Sequence, residues 1–462
     1  MQKLAGIVLA AGKGTRMKSA LPKALHRLCG LPMAEHVGRA MIEAGVERPI
    51  MVVGYGAERV KAELGDKYEY VVQEEQNGTG HACLMALPAL GNRDGPILVA
   101  PGDAPLITGE ALASLTGAAL EHSAQCALAT CEMSDPTGYG RVVRDDSGRP
   151  VRIVEEADAD DSQKQIGEVC TSFYCFEPSV LRELLPQLGT ENAKGEQYLT
   201  DLIALIAERG GKSVTLKFED ARLLEGVNDR WQLASAAKAL RLRVLKRLAL
   251  DGVTVEDPDS TYVDAGVEIG EDTVIRPMTV VEGDTKIGSG CEIGPQTRVT
   301  ECEIGDGCTV FMSHLNRARI GRGCRVGPFA NLRPGTSLGE RVKVGNYVEI
   351  KNAEVGEDAS LAHLTYVGDA TVGPRTNIGA GTIVCNYDGL KKHVTEIGAD
   401  VFIGSNSTLV APLKIGDGAM TAGGSVITED VPNDALAIGR GRQVNKEGWA
   451  KIWRRRKPGK KS

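Results

Sequence analysis

Aromatic residues are scarce in this chain of 462 residues: they make up 4% of it, whereas 56 residues are glycine. Because aromatic rings fill much of an ordinary globular core, this ratio indicates that a large part of the chain is built from turns. The glycines are also uneven, with 25 in residues 1–250 and 31 in the shorter stretch 251–462. The length is ample for two to four domains, which excludes a mini-protein.

Sequence patterns for zinc binding and for crossing a membrane are missing as well. The 11 cysteines form no CxxC pair, and none of the seven histidines has the spacing of a zinc motif. An odd number of scattered cysteines is typical of a reducing compartment. No apolar run approaches the roughly 18 residues that a membrane-spanning helix needs. We therefore expect a soluble, cytoplasmic protein with no membrane partner.

Acidic residues outnumber basic ones by 61 to 54, which argues against general nucleic-acid binding. The charge is uneven, because residues 438–462 contain ten basic residues and one acid. This basic tail is predicted to be solvated and disordered over 454–462. Before that, Trp449 and Trp453 indicate that it docks on a surface.

The pattern of apolar residues changes twice along the chain. Residues 1–227 alternate strand-like and helical runs, which predicts a mostly parallel α/β sheet. Residues 228–252 follow the pattern of one long linker helix, with an apolar stripe on one side and arginines, including Arg241, elsewhere. Residues 253–437 form a third region, and 438–462 are the basic tail.

In the third region an aliphatic residue recurs every six positions and is often followed by glycine, as in Ile287-Gly288 and Ile293-Gly294. Short strands joined by tight turns and stacked as a parallel β-helix have this period. The rhythm breaks near 356–366 and again at 385–396, and we expect inserted binding loops at both places.

Near the N-terminus, a small-residue turn follows the first strand-like run and leads into Lys13, Arg16 and Lys23. Backbone N–H groups of such a turn, together with these cations, suit a polyphosphate, although the turn is neither a Walker A nor a GxGxxG motif. Asp103 follows another apolar run, at the carboxyl end of a predicted strand, where open α/β sheets bind ligands. Its carboxylate suits Mg²⁺.

Several short motifs occur in the order found in sugar-1-phosphate nucleotidyltransferases: Leu9–Met17 with Lys23, 76–81 (QNGTGH), Gly102-Asp103, 137–141 (TGYGR), 153–155 (IVE) and 225–228 (EGVN). Together with the six-residue repeat, essentially the whole chain resembles the bifunctional N-acetylglucosamine-1-phosphate uridyltransferase and glucosamine-1-phosphate N-acetyltransferase family, GlmU. The resemblance implies a Rossmann-like nucleotidyltransferase domain, a long linker helix and a left-handed parallel β-helix.

This resemblance implies contacts for uridylyl transfer in the first region. The nucleotide and pyrophosphate contacts would be Leu9, Ala10, Ala11, Gly12, Arg16, Lys23, Gln73, Gly78 and Thr79. The sugar contacts would be Gly140, Glu155, Cys170 and Asn228, and the Mg²⁺ ligands Asp103 and Asn228. Two residues depart from the family pattern, because Cys170 replaces an asparagine and Pro101 replaces a residue that often carries a hydroxyl.

Acetyl transfer needs a base, cations for a sugar phosphate and donors for an oxyanion. The resemblance makes His363 the base, and histidine is the residue type that most readily exchanges a proton near neutral pH. It assigns Arg333, Lys351, Tyr366 and Asn377 to the amino sugar phosphate, and Ala380, Asn386, Tyr387, Ser405, Gly423 and Arg440 to acetyl-coenzyme A. Gly423 replaces a frequent alanine.

The family resemblance further implies a homotrimer with acetyl-transfer sites between neighbouring chains. Its small-molecule substrates would be UTP, N-acetylglucosamine-1-phosphate, glucosamine-1-phosphate and acetyl-coenzyme A, and its product would supply peptidoglycan and lipopolysaccharide synthesis. Three alternatives stay open: a monofunctional nucleotidyltransferase with a structural β-helix, a non-enzymatic assembly protein, and a β-helix metalloenzyme using His314, His363 and His393.

Overall fold

The computed structural model describes residues 3–456, and these fall into two compact units. The first unit ends at Val244 and the second begins at Leu245.

Short strands and helices alternate through the first unit. Its strands are β1 (Ala5–Ala10), β2 (Arg27–Leu28), β3 (Leu31–Pro32), β4 (Ile50–Val53), β5 (Glu69–Val72), β6 (Ile97–Pro101), β7 (Cys126–Glu132), β8 (Gly140–Arg144), β9 (Pro150–Val154), β10 (Glu168–Phe176) and β11 (Ser213–Lys217). Its helices are α1 (Met33–Glu43), α2 (Ala57–Leu64), α3 (Thr79–Leu90), α4 (Gly109–Glu121), α5 (Pro178–Glu183), α6 (Leu202–Glu208) and α7 (Arg230–Leu250), of which the last crosses into the second unit. Single 3-10 turns are Thr15–Met17, Lys23–Leu25, Gln163–Gln165, Leu185–Gln187, Leu199–Asp201 and Ala221–Leu224.

The main sheet of the first unit has the strand order β11-β7-β10-β6-β1-β4-β5. Strand β10 is antiparallel to both of its neighbours, and the other pairings on this path are parallel. The predicted, mostly parallel α/β sheet is therefore confirmed. Two apolar layers cover its faces, one including Val37 and Leu112 from α1 and α4, the other Ala86 and Ile203 from α3 and α6. The carboxyl ends of β1 and β6 meet at one edge, where such sheets bind ligands.

Very short strands make up the second unit. They are β12 (Thr254–Val255), β13 (Tyr262–Val263), β14 (Glu268–Ile269), β15 (Val274–Ile275), β16 (Val280–Glu282), β17 (Lys286–Ile287), β18 (Glu292–Ile293), β19 (Arg298–Thr300), β20 (Glu303–Ile304), β21 (Thr309–Val310), β22 (His314–Asn316), β23 (Arg319–Ile320), β24 (Arg325–Val326), β25 (Asn331–Leu332), β26 (Thr336–Leu338), β27 (Lys343–Asn346), β28 (Glu349–Val355), β29 (Ser360–His363), β30 (Tyr366–Val372), β31 (Asn377–Ile378), β32 (Ile383–Cys385), β33 (Thr395–Ile397), β34 (Phe402–Ile403), β35 (Thr408–Val410), β36 (Leu413–Ile415), β37 (Met420–Thr421), β38 (Val426–Ile427) and β39 (Leu436–Ala437). The short helix α8 (Trp449–Arg456) follows.

These strands stack into a parallel β-helix. Each strand pairs in parallel with the equivalent strand one coil away, for example β15 with β18 and β18 with β21. The aliphatic residues of the six-residue repeat point inward, so that Ile275, Ile293 and Val310 are completely buried. Stacking of these residues provides the core that a single coil lacks, and the predicted β-helix is confirmed.

One of the two predicted breaks in the repeat is an inserted loop. Asn377 pairs with Phe402, 25 residues later, whereas neighbouring coils are about seven residues shorter, so the residues between β32 and β33, 386–394, form an insertion within the predicted break at 385–396. The other predicted break, at 356–366, was wrong. There the buried, inward-facing Val355, Leu361 and Val367 keep the six-residue spacing, and Val344 pairs with Leu361 one ordinary coil later, so nothing is inserted.

The linker helix and the basic tail can be compared with what the sequence predicted for them. Arg241 was expected away from the apolar stripe of the linker helix, but it is 7% exposed, because α7 buries more of its circumference than a single stripe. Trp449 and Trp453 lie on α8 and are about half exposed, while residues 457–462 of the tail lie outside the described residues. Between residues 3 and 456, no helix has both the length and the apolarity needed to cross a membrane.

Candidate active sites

A cavity of about 580 Å³ opens at the carboxyl ends of β1 and β6 in the first unit. Its wall includes most of the residues predicted for uridylyl transfer: Leu9, Ala10, Ala11, Gly12, Arg16, Lys23, Gln73, Gly78, Thr79, Asp103, Glu155 and Asn228. The sheet thus collects residues from five of the six sequence motifs at one place, at the edge where α/β folds bind ligands, whereas no residue of 137–141 lines the cavity.

The turn after β1 is held against its neighbours by main-chain contacts. The N–H of Gly102 donates to the Leu9 carbonyl at 2.9 Å, and the Gln76 side-chain amide donates to the Ala11 carbonyl at 3.1 Å. A β-carbon at Gly54 would lie 2.7 Å from the same Ala11 oxygen. The turn is therefore fixed from both sides, while Gly12 at its tip stays exposed and accessible to a ligand.

Two cations and two oxygen ligands converge at the mouth of this cavity. Lys23 Nζ forms an ion pair with Asp103 Oδ2 and donates to Asn228 Oδ1 at 2.9 Å. Arg16 donates to the same Asn228 oxygen at 2.8 Å. The Lys23 and Asp103 side chains are 13% and 29% exposed, so water screens this pair only partly. The N–H of Val227 donates to the Asp103 main-chain carbonyl at 2.8 Å, which positions Asn228 beside the carboxylate.

The opposite wall of the cavity contains a buried amide. Gln73 is 3% exposed, and its Nε2 lies 2.9 Å from His81 Nδ1 and 3.2 Å from the Gly78 carbonyl. Gly78 has φ +105°, and a β-carbon there would overlap the Gln197 carbonyl oxygen. A glycine is needed here for both reasons, and it lets the chain turn into α3 close to the cavity.

Glu155 also lines this cavity. It accepts a hydrogen bond from the Thr200 hydroxyl at 3.0 Å, and burial raises its pKa above the ordinary value. The Gly140 backbone packs beside it, because a β-carbon at Gly140 would lie 2.7 Å from Ile153 and 3.4 Å from the Glu155 carboxylate.

Cys170 is not part of the cavity wall. It is 4% exposed, its Sγ lies 3.3 Å from the Tyr174 hydroxyl, and burial raises its pKa to about 11. The wall at this point consists of Ser172 and Tyr174 instead. Ser172 has φ +63° and lies where the register of β10 against β7 shifts, a local irregularity that the motif pattern does not encode.

Sequence reasoning missed several residues of this wall, among them Lys194, Tyr198 and Thr200. Tyr198 is 7% exposed, and its hydroxyl has no hydrogen-bond partner among the described residues. A buried, unpartnered hydroxyl at a cavity wall is available to a ligand. The segment containing these residues matches none of the motifs used above, so only its packing against α3, through the Gly80 N–H and the Gln197 carbonyl at 2.8 Å, reveals it.

In the second unit, His363 ends β29 on an exposed corner of the β-helix. Its Nδ1 is hydrogen-bonded to Asn346 Oδ1, from the residue that precedes it by one coil. Because an amide oxygen only accepts hydrogen bonds, this contact places a proton on Nδ1 and leaves Nε2 unprotonated in the neutral ring. The arrangement is that of an oriented imidazole base.

A group of cations lies on the adjoining face. Arg333 donates to Glu349 at 2.7 Å, and Lys351 lies one coil further along and interacts electrostatically with both Arg333 and Lys392. Lys392 and Arg333 lower the pKa of Lys351, since neighbouring positive charges disfavour its protonated form. Sequence reasoning missed Lys392, because it comes from the inserted loop and is 41 positions away from Lys351.

Three residues predicted for acetyl-coenzyme A form a column on successive coils. The N–H of Asn406, next to Ser405, donates to the Ala380 carbonyl at 2.7 Å, and the N–H of Gly424, next to Gly423, donates to the Ser405 carbonyl at 2.7 Å. The column runs from the His363 coil toward the end of the β-helix, since the Gly381 N–H donates to the His363 carbonyl at 3.3 Å.

The remaining residues predicted for acetyl transfer lie at the starts of strands, in the inserted loop and after the last strand. Tyr366 and Asn377 lie at the starts of β30 and β31, and Asn386 and Tyr387 begin the inserted loop. Arg440 is exposed after the last strand.

Between residues 3 and 456, no group of three His, Cys, Asp or Glu side chains is placed to hold a metal ion. The histidines proposed for a β-helix metalloenzyme have separate contacts, since His363 bonds to Asn346 and His393 to Asp388.

Comparisons with known proteins agree with this architecture. Residues 6–207 match the family model of the MobA-like NTP transferase domain, residues 258–355 the GMPPB C-terminal domain, and residues 395–429 the bacterial transferase hexapeptide (six repeats). The fold and its two sites therefore define a nucleotidyltransferase domain joined to a hexapeptide-repeat acyltransferase domain.

Whole-chain relatives are similar to both parts at once. A bifunctional protein GlmU of Carboxydothermus hydrogenoformans is 50% identical over 96% of this chain and 100% of its own length. Those of Streptococcus agalactiae and Heliobacterium modesticaldum are 48% and 47% identical over 96% and 97% of this chain, and over 97% and 98% of their own lengths. The chain belongs to the GlmU family. It is a bifunctional enzyme of UDP-N-acetylglucosamine synthesis, with acetyltransferase and uridyltransferase activities.

Proposed function

We propose that the second unit transfers acetyl from acetyl-coenzyme A to glucosamine-1-phosphate, and that the cavity of the first unit then transfers uridylyl from UTP to the acetylated product. The observation that carries this division is the pair of separate polar sites, one around Lys23 and Asp103 and one around His363 and Lys351. Each has the charges that its reaction needs.

In the first unit the sugar phosphate oxygen attacks the α-phosphorus of UTP, and pyrophosphate leaves. No side-chain nucleophile is required, so positioning and charge neutralisation provide the catalysis. Arg16 and Lys23 neutralise the leaving pyrophosphate, Gln73 and Gly78 contact the uridine, and Glu155 accepts hydrogen bonds from the sugar hydroxyls.

The same cavity mouth suits Mg²⁺. A carboxylate oxygen of Asp103 and the amide oxygen of Asn228 both contact one ammonium group, that of Lys23, so the two oxygens face a common point. Oxygen ligands of this kind, completed by substrate phosphates, are those that Mg²⁺ prefers. Asp103 and Asn228 would hold the ion, which would supply positive charge to the reacting phosphates when bound.

In the second unit the amine nitrogen of the substrate attacks the thioester carbonyl, and His363 Nε2 takes the proton that this amine loses. The coenzyme A thiolate leaves. Asn346 keeps the imidazole oriented for this step. Arg333, Lys351 and Lys392 hold the sugar phosphate. Tyr366 and Asn377 line the amino sugar pocket, and the backbone column through Ala380, Ser405 and Gly423 binds acetyl-coenzyme A with Asn386, Tyr387 and Arg440.

We further propose a cytoplasmic homotrimer in which neighbouring chains complete each acetyl-transfer site. An apolar ridge on one corner of the β-helix supports contact between chains: Met278, Phe329, Tyr347 and Leu364 are each more than half exposed. All four have left-handed backbone angles, with φ between 52° and 59°, which large apolar residues rarely adopt. Leu364 directly follows His363, so a neighbour covering the ridge would adjoin the proposed base.

Offering glucosamine-1-phosphate, acetyl-coenzyme A and UTP together, and then each acceptor separately, tests the two activities. His363→Ala should remove acetyl transfer and leave uridylyl transfer intact, because His363 lies in the second unit and the residues proposed for uridylyl transfer lie in the first. His314→Ala, at another exposed histidine of the same β-helix, is the matched control and should retain both. Undiminished acetyl transfer by His363→Ala would contradict the proposed site, and acetyl transfer that survives dilution to a proven monomer would contradict the trimer.

A further inference from the structure

The inserted loop of the β-helix contributes three residues to the proposed acetyl-transfer site, Asn386, Tyr387 and Lys392, yet it is largely solvent-exposed. Leu390 at its tip is 93% exposed and Tyr387 is 60% exposed. Within the loop, His393 bonds to Asp388 at 2.7 Å, and its N–H donates to the Asn386 carbonyl at 2.8 Å. These contacts are all within the loop, so they stabilise its conformation but do not attach it to the coils.

One carboxylate makes that attachment. Asp369, on the coils, accepts a hydrogen bond from the Asn386 amide and lies 3.8 Å from Lys392 Nζ. Its other oxygen accepts from the Asn352 amide at 2.7 Å. Asn352, Asp369 and Asn386 follow one another at a spacing of 17 residues, one per coil.

The corner geometry alone does not account for this arrangement. Asp369 has φ +49°, a backbone angle that Asp and Asn tolerate. This angle does not require the side chain to be buried. The Asp369 side chain is instead 10% exposed. Burial by itself would raise the pKa of Asp369, but the Asn352 and Asn386 amides and Lys392 outweigh it, so the pKa lies below the ordinary value and the group stays charged.

We propose that Asp369 is a positioning residue of the acetyl-transfer reaction, whose carboxylate holds the inserted loop through Asn386 and keeps Lys392 beside Lys351. The proposal rests on the acetyl-transfer site proposed above. In that site Asp369 touches no reacting atom. It places Asn386 and Tyr387 for acetyl-coenzyme A, and it balances the charge of the cations that bind the sugar phosphate.

Asp369→Asn is the appropriate variant, because asparagine accepts the same backbone angle. It removes the charge and turns one acceptor oxygen into a donor that faces other amide donors. We expect kcat of acetyl transfer to fall at least tenfold and KM for acetyl-coenzyme A to rise. KM for glucosamine-1-phosphate should stay within about twofold, because loss of the Lys392 anchor and loss of a carboxylate competing with the phosphate act in opposite directions.

Trypsin cleavage after Lys391 and Lys392, followed by mass spectrometry, reports the attachment of the loop independently of catalysis. Cleavage there should be faster in Asp369→Asn than in the wild type. Asp400→Asn is the matched control: Asp400 also has a left-handed angle, φ +56°, but bonds to Arg375 at 2.7 Å on another corner, and its variant should behave as wild type. Uridylyl transfer in each preparation calibrates the enzyme concentration.

Wild-type kinetics in Asp369→Asn, or faster cleavage of the loop without a kinetic change, would overturn the proposal. An equal rise of both KM values with a lower melting temperature would also overturn it, since that result indicates general destabilisation. His363→Ala is assayed in parallel. If it retains acetyl transfer, the proposed site is wrong, whereas the trypsin comparison still decides whether Asp369 holds the loop.

Discussion

Replacing Lys23 by alanine should separate the two activities of this enzyme most sharply. Lys23 Nζ contacts both Asp103 and Asn228 at the mouth of the first cavity and is largely shielded from solvent. At about 4 Å and an effective dielectric constant of 20, two unit charges interact by about 4 kcal/mol, and partial exposure of Asp103 reduces this figure. Removing one preorganised contact to developing negative charge typically costs 10²–10³-fold in kcat, about 2.7–4 kcal/mol.

We therefore expect Lys23→Ala to lower kcat of uridylyl transfer by 10²–10³-fold, measured as pyrophosphate release from UTP. Acetyl transfer by the same chain should be unchanged, because the residues proposed for it all lie in the second unit. Lys61→Ala, at a surface lysine of α2 bonded to Glu58 at 2.8 Å, is the matched control and should keep both activities. A loss of less than tenfold in Lys23→Ala, or an equal loss of acetyl transfer, would refute the reasoning.

Three further substitutions test the packing and the charges of the two units. Gly78→Ala should destabilise the first unit by about 2 kcal/mol, because φ at this position is +105° and the new β-carbon overlaps the Gln197 carbonyl. On heating, uridylyl transfer should then be lost before acetyl transfer. Simultaneous loss of the two activities would contradict this prediction. Thr200→Val removes a hydrogen-bond donor that stabilises the charged form of Glu155, whose pKa is already raised by burial. The pKa of Glu155 should therefore rise further, and the acidic limb of the pH profile of uridylyl transfer should move to higher pH. An unmoved limb would be inconsistent with a role for ionised Glu155. Ile350→Ala leaves a cavity at a completely buried position of the β-helix and should lower the free energy of unfolding by about 2–5 kcal/mol. Acetyl transfer should then be lost at a lower temperature while uridylyl transfer persists. Equal heat sensitivity in wild type and variant would argue against an inward-facing Ile350.

Much of the fold could be predicted because its signals are local. The six-residue spacing predicted the β-helix correctly, since each inward aliphatic residue and each corner is specified within one strand. The loop at 385–396 was predicted from the same rhythm. The break at 356–366 was not real, because the buried Val355, Leu361 and Val367 keep the six-residue spacing through that segment.

The first site was predictable where residues belong to motifs. Asp103, Lys23 and the turn after β1 line one cavity, although separate motifs contain them. Cys170 was expected beside the sugar but lies behind Tyr174, because the irregular register of β10 turns Ser172 and Tyr174 toward the cavity. A motif specifies which residues follow one another and does not specify such a shift.

The sequence by itself determined the two folds and the family, because periodicity and short motifs depend on neighbours along the chain. Only the tertiary structure decided which distant groups meet. Arg16 and Asn228 are 212 residues apart and share a hydrogen bond, and the unpartnered Tyr198 hydroxyl comes to the cavity from a segment without a motif. Asp369 and the loop it holds become neighbours only when successive coils stack. The physical reason is that hydrogen bonds and ion pairs depend on separation in space, which strand pairing and coil stacking set.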